Sequence, residues 1–150
     1  NYVIDTSSLK VAEMNSELDK LFGSKTKKAS FVLNLMSFGY KHGMPAEADW
    51  VIDVRFIPNP YYVSSLKKLT GNNKKVAQYV MKQDITKEFV NRFHEIIARL
   101  LPCYVKEGKY SLTIAFGCTG GQHRSVALAN EFYKIFTAEG WRVTLEHREL

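Results

Sequence analysis

The sequence predicts an α/β fold, a single domain with a mixed or parallel sheet and helices packed on it. Three observations point there. Apolar residues alternate with a period of two in several short runs. In the stretches between them, apolar residues recur every three or four positions. These patterns change places repeatedly along 150 residues, with no internal repeat or low-complexity tract. That length makes one ordinary domain with a substantial core.

The elements follow in order. Tyr2–Asp5 reads as a short strand, and Asp5, Thr6, Ser7 and Ser8 offer helix caps. Val11, Met14, Leu18, Leu21 and Phe22 share one helical face, Gly23 stops it, and Ser24–Lys28 is a basic linker. Phe31–Phe38 is a buried strand, rich in β-formers. The loop Ser37–Pro45 contains two glycines, a proline, Ser37, Lys41 and His42, a composition that fits a ligand site and plain turn chemistry equally. Trp50–Phe56 alternates: Trp50, Ile52, Val54 and Phe56 face one way, Val51, Asp53 and Arg55 the other. Asp53 and Arg55 then either meet a ligand at the strand's carboxyl end or form a local ion pair. Pro58 and Pro60 end that strand, and Thr70–Lys75 is a turn.

Val76–Met81 is expected to be a short helix. Ile85, Phe89, Phe93, Ile96, Ile97, Leu100, Leu101 and Tyr104 form a long helical face that Pro102 is expected to kink or end, with His94 a structural residue within it. Glu107–Lys109 turns into the strand Leu112–Phe116. Leu128, Phe132, Ile135 and Phe136 line the next helix, Gly140 ends it, and Trp141–Glu146 is the last strand, with His147 and Arg148 at its end.

Composition narrows the function classes. Apolar residues make up 45% and charged residues 24%, values of a folded chain rather than a disordered one. No apolar run has the length to span a bilayer, so no membrane partner is expected. Two cysteines, Cys103 and Cys118, make neither a disulfide framework nor a metal cluster, which fits a reducing cytoplasm and leaves no metal or cofactor expected. The net charge of +6 favours anionic partners. The chain opens at Asn1 on an apolar run, as a piece of something longer would.

The most informative stretch is Leu112-Thr-Ile-Ala-Phe-Gly-Cys-Thr-Gly-Gly-Gln-His-Arg-Ser125. A strand stops in glycines and small polar residues, and a helix begins. Backbone N–H groups in a helix's first turn lack intrahelical partners, and the dipole makes that end partly positive. Gly117, Gly120 and Gly121 allow close backbone approach, and Arg124 carries a planar fork of donors. The loop reads as an oxyanion cradle, above all for a phosphoryl group. The spacing Cys118-x5-Arg124-Ser125 also resembles the signature of cysteine-dependent phosphatases, in which a thiolate attacks phosphorus. On that alternative the catalytic set is Cys118 and Arg124 with Asp53 as general acid. Gly117 stands where such enzymes usually carry a histidine.

A second resemblance spans nearly the whole chain. Val3-Ile-Asp-Thr-Ser7, Ser37-Phe-Gly-Tyr-Lys41, Ala48-Asp49, Asp53-Val-Arg-Phe-Ile-Pro-Asn-Pro60, Leu69-Thr-Gly71, Gly117–Val126 and His147-Arg148 are similar to the C-terminal domain of the RapZ / YvcJ family of bacterial regulators. The resemblance implies that residues 1–150 are a RapZ-type ligand-binding domain, with 1–24 the tail of, or linker from, an N-terminal nucleotide-binding domain. No Gly-x4-Gly-Lys-Ser/Thr match occurs, so the nucleotide-hydrolysing loop is expected to be absent and the chain not to be an enzyme.

In some members this domain is understood to bind glucosamine 6-phosphate and small regulatory RNA, to present RNA to an RNase, and to form homo-oligomers. Carried over by position, Cys118, Thr119, Gly120, Gly121, Gln122, His123, Arg124 and Ser125 would form the phosphate cradle. Asp53, Arg55 and Asn59 would line its wall, with Ser37 nearby. Tyr61-Tyr62 stands where many members have His-Trp, and Gln122 where some have Lys. A plain RNA-binding module, with Tyr40-Lys41 and Tyr79 near Lys82 as aromatic–basic pairs, is a third reading.

Overall fold

The computed structural model describes residues 30–150. The strand and helix expected within residues 2–22 lie outside that range. Strands β1 (Val32–Gly39), β2 (Trp50–Asp53), β3 (Ser111–Cys118) and β4 (Arg142–His147) form one sheet in the order β2-β3-β1-β4. Every pair is parallel, so the sheet is parallel rather than mixed. Helices α1 (Lys74–Met81), α2 (Asp84–Glu107) and α3 (Arg124–Ala138) pack on it.

Alternation assigns the faces. Leu33 and Leu35 of β1 and Leu112, Ile114 and Phe116 of β3 join the helices in the main core. Met36, Phe38 and Ala115, of opposite parity, form a smaller cluster with Tyr40 and Ala48. Further along that second face runs a polar ladder. Thr144 donates its hydroxyl to Asn34 at 2.7 Å, and the Asn34 amide donates to Thr113 at 3.3 Å.

Stacked rings tie β3 to the helices. Phe116 lies flat on Phe132 of α3 at 5.1 Å between centroids, and Phe93 of α2 meets both edge-on at 5.9 and 5.3 Å. Such aromatic pairs add about 0.5–1.5 kcal/mol beyond their buried area. They fix the end of β3 relative to the start of α3, the junction that carries the glycine-rich loop.

Three local expectations are corrected. The strand expected over 50–56 stops at Asp53, because its carboxylate accepts the Arg55 N–H at 2.9 Å and closes a turn that competes with the ladder. The alternation fails with it: Ile57 is buried and Phe56 is 46% exposed. Helix α2 runs through Pro102 to Glu107, ending where Gly108 turns left-handed at φ 95°. A proline removes one intrahelical hydrogen bond, and core packing on both sides of it, by Ile97 and Leu101 before and Tyr104 and Val105 after, offsets the loss. Its buried face is Thr86, Val90, Phe93, Ile97 and Leu101, whereas Ile85 and Ile96 face water. His94 pairs with Glu139 and leans on Phe136.

Candidate anion-binding site

Parallel register brings the ends of β1 and β3 together, with Gly39 opposite Cys118. The backbone then departs into residues 119–123 and enters α3 at His123, whose side chain makes no capping bond. Lys41 donates its backbone N–H to the Thr119 carbonyl at 3.2 Å, joining the segment after β1 to the loop. The crossing is tight. A Cβ on Gly39 would fall 2.5 Å from the Gly120 carbonyl carbon, and Gly121 adopts φ 72°, a conformation that favours glycine.

The segment at 66–71 braces the loop from the other side. Gly71 N–H donates to the Gln122 carbonyl at 2.8 Å, the Gln122 amide donates to Leu69 at 2.9 Å, and the His123 ring meets the Lys67 carbonyl at 3.2 Å. Asn59 accepts the Tyr61 N–H at 3.2 Å, and Pro60 starts a single 3-10 turn that presents Tyr61 and Tyr62.

These pieces enclose a cavity of about 310 Å³. Cys118, Thr119, Gly120, Gln122, His123 and Arg124 line it from the loop; Lys41, Asn59, Tyr61 and Tyr62 line it from the facing segments. None of the described residues lining it is a carboxylate. Arg124 is 4% exposed and held from behind: Nη1 donates to the carbonyls of Arg55 and Ile57 at 3.1 and 2.9 Å, and Nη2 to the Thr119 hydroxyl at 3.4 Å. Its Nε has no hydrogen-bond partner among the described residues.

Cys118 is buried, and burial by itself would raise its thiol. The Ser125 hydroxyl at 3.1 Å and the backbone N–H groups of Ser125, Gly121 and His123 outweigh that and bring it below its ordinary value. Burial lowers the His123 imidazole against the carbonyls around it, so the ring is disposed to be neutral.

Three further residues expected at the site are not in the cavity lining, although Asp53 stands opposite Gly117, beside the cradle. Asp53 and Arg55 form a bidentate pair, with Arg55 Nη2 2.7 Å from Oδ2 and Nε 2.9 Å from Oδ1, and the guanidinium sits 4.3 Å above the Tyr40 ring. That pairing holds Asp53 below the usual carboxylate range. Of the two alternatives for these residues the ion pair is the one formed. Ser37 is buried, and its hydroxyl is 2.8 Å from His147 Nδ1 rather than in the cavity. Gly121 and Ser125 shape the loop without lining the cavity. Tyr61 and Tyr62 were absent from the expected binding set, and the Asn-Pro turn that presents them was the available signal; Lys41 lay in a loop whose composition fitted a ligand site or plain turn chemistry.

Residues 31–150 match the family model of the RapZ C-terminal domain. The chain belongs to that family. Relatives of this RapZ-type domain include nucleotide-binding proteins of Caldanaerobacter subterraneus subsp. tengcongensis, 49% identical over the whole chain, and of Alkaliphilus oremlandii, 45% identical over 99% of it. A nucleotide-binding protein of Clostridium botulinum is 44% identical over 99% of the chain. The chain covers 53%, 51% and 51% of those three proteins, so it spans about half the length of the curated relatives it matches. Among the described residues of this RapZ-type domain, no helix is long and apolar enough to cross a membrane, and no group of three His, Cys, Asp or Glu could hold a metal ion.

Proposed function

We propose that this domain is a regulatory binding module that takes a small phosphorylated metabolite, an amino-sugar phosphate such as glucosamine 6-phosphate, in the cavity at the head of α3. One observation carries the reading: a cavity into which Arg124, Lys41 and the glycine-rich turn all open, with no carboxylate among the described residues that line it. Its volume of about 310 Å³ suits a phosphosugar. Occupancy would then be coupled to association with further copies and with RNA presented to an RNase, in the cytoplasm. The basic balance of +6 supports an anionic macromolecular partner. The relatives' description as nucleotide-binding adds support for a phosphate-recognising protein, through whichever half of those longer chains is responsible.

Calorimetry with glucosamine 6-phosphate, other phosphosugars and inorganic phosphate tests the binding. Saturable affinity that drops in Arg124→Ala is expected, and undiminished affinity in that variant would remove the site assignment. RNA affinity falling steeply with salt is the expected sign of phosphate contacts. No binding at low salt would remove RNA from the reading.

The thiol inside the cavity favours a second reading, cysteine-dependent phosphoryl transfer by Cys118 and Arg124. Its weak point is the general acid: Asp53 is ionised against Arg55 and has no proton to give near neutral pH. An aryl phosphate needs little acid assistance. Turnover of that substrate, abolished in Cys118→Ser, would establish the activity, and no turnover across a broad pH range would dismiss it.

A further inference from the structure

The two cysteines occupy contrasting places. Cys103 is exposed near the end of α2, its sulfur 3.5 Å from the Arg99 carbonyl. Helix α2 leads through Gly108 into the start of β3, whereas Cys118 closes the far end of that strand. Seven strand steps of about 3.3 Å put the ends of β3 roughly 23 Å apart. A disulfide needs Cα atoms within about 7 Å, so Cys103 is no intramolecular partner for Cys118.

Cys118 is reached through the cavity that it lines, although the residue is only 3% exposed. Its sulfur lies 3.1 Å from the Ser125 hydroxyl, at the start of α3. An independent feature marks the same cavity as made for an oxygen-bearing guest. Arg124 lines it, is more than nine-tenths buried, and keeps a buried Nε without a hydrogen-bond partner among the described residues. A buried guanidinium N–H left unmatched is unfavourable until an acceptor oxygen arrives.

We propose that Cys118 is a site of reversible oxidation, where a peroxide entering the cavity converts the thiol to a sulfenic acid and closes the cradle to phosphate. The sulfur attacks one oxygen of hydrogen peroxide. A sulfur–oxygen bond forms as the oxygen–oxygen bond breaks. Sulfur is oxidised by two electrons, and the departing oxygen leaves as hydroxide and takes the thiol proton to become water. Two equivalents of a small thiol reverse the step, giving Cys118 thiol, a small-molecule disulfide and water. Beside this geometry, the thiol's lowered proton affinity favours loss of that proton as the sulfur attacks. The added oxygen competes with a phosphate for the donors of the cradle, so the second half of the inference rests on the proposed anion binding while the oxidation itself does not.

The test treats the full chain with hydrogen peroxide, traps sulfenic acid with a 1,3-diketone, and maps both cysteines by mass spectrometry. Inorganic phosphate affinity is measured before oxidation, after it, and after dithiothreitol. Expected are trapping at Cys118 at least ten times faster than at Cys103, slower trapping in Ser125→Ala than in Ser125→Thr, and a phosphate affinity reduced at least tenfold and then restored. Trapping at exposed Cys103 with none at Cys118 overturns the proposal. Trapping at Cys118 with unchanged phosphate affinity overturns the closure. Trapping at Cys118 in a protein that binds no phosphate even when reduced upholds the oxidation and overturns the closure together with the proposed anion site.

Discussion

Arg124 reaches across the molecule to give its Nη1 to the carbonyl oxygen of Ile57, 2.9 Å away and 67 residues distant in sequence. The same nitrogen meets the Arg55 carbonyl, so the guanidinium is aimed by the backbone after β2. Lysine keeps the charge but cannot serve two carbonyls and a ligand in one plane. Arg124→Lys should weaken phosphosugar binding about tenfold or more, since hydrogen bonds to charged groups are worth about 1.5–3 kcal/mol. It should also lower stability by about 1–3 kcal/mol through the orphaned carbonyls. Calorimetry and thermal unfolding read the two effects separately; unchanged unfolding would show that the carbonyl contacts contribute nothing.

Gly71 and Gly120 should respond oppositely to one added methyl. At Gly71 a Cβ would lie 2.4 Å from the His123 carbonyl oxygen and 2.6 Å from the Ala127 nitrogen, both backbone atoms at the head of α3. At Gly120 the nearest atoms are the end of the Lys41 side chain at 3.9 Å. Gly71→Ala should lose about 1–3 kcal/mol by overpacking. Gly120→Ala should stay within about 0.5 kcal/mol of the parent. Denaturant midpoints decide it, and equal losses would contradict the packing described.

Acid should weaken the fold through two histidines. Burial depresses the imidazoles of both His123 and His147. The unfolded chain therefore binds protons first, so stability is full above the unfolded value of about 6.5 and declines as pH falls below it. Asp53, also depressed, acts in the same direction at lower pH: its stabilisation is present above the ordinary carboxylate value and is lost as pH falls through the folded one. The melting temperature should drop between pH 7.5 and pH 5.5, and His147→Gln should flatten the drop. A profile that rises toward acid would refute the burial effect.

The Ser125 hydroxyl should tune the thiol 3.1 Å away. Removing it withdraws one of the groups that offset burial around Cys118. In Ser125→Ala the pH dependence of Cys118 alkylation should move to higher pH, whereas Ser125→Thr should hold it near the parent. Coincident profiles for all three proteins would leave the hydroxyl without a role in the ionisation.

Much of the architecture was legible because it is written locally. Period, β-former content and turn residues together located the four described strands and the three helices. Glycines between an apolar run and an Arg-Ser pair marked the strand–loop–helix junction for the same reason. What depends on distant partners was not legible. Pro102 is a helix breaker in isolation, and α2 runs through it where Ile97, Leu101, Tyr104 and Val105 pack on the core. Ser37 looked available beside the glycine loop until parallel register set it opposite His147. Asp53 and Arg55 showed their spacing, but the choice between ligand and ion pair needed three dimensions. Tyr61 and Tyr62 reach the cavity because Asn59 and Pro60 turn the chain, a geometry that the pair of tyrosines does not announce.

Parallel sheets commonly sink between two helical layers. On the face turned away from the helices the amide of Asn34, held between Thr113 and Thr144, does what grease does on the other. Three neighbouring strands stay in step there through polar side chains that answer one another. A single Asn34→Val exchange would strip both threonine hydroxyls of that shared partner at once and loosen the stitch that spans β3, β1 and β4.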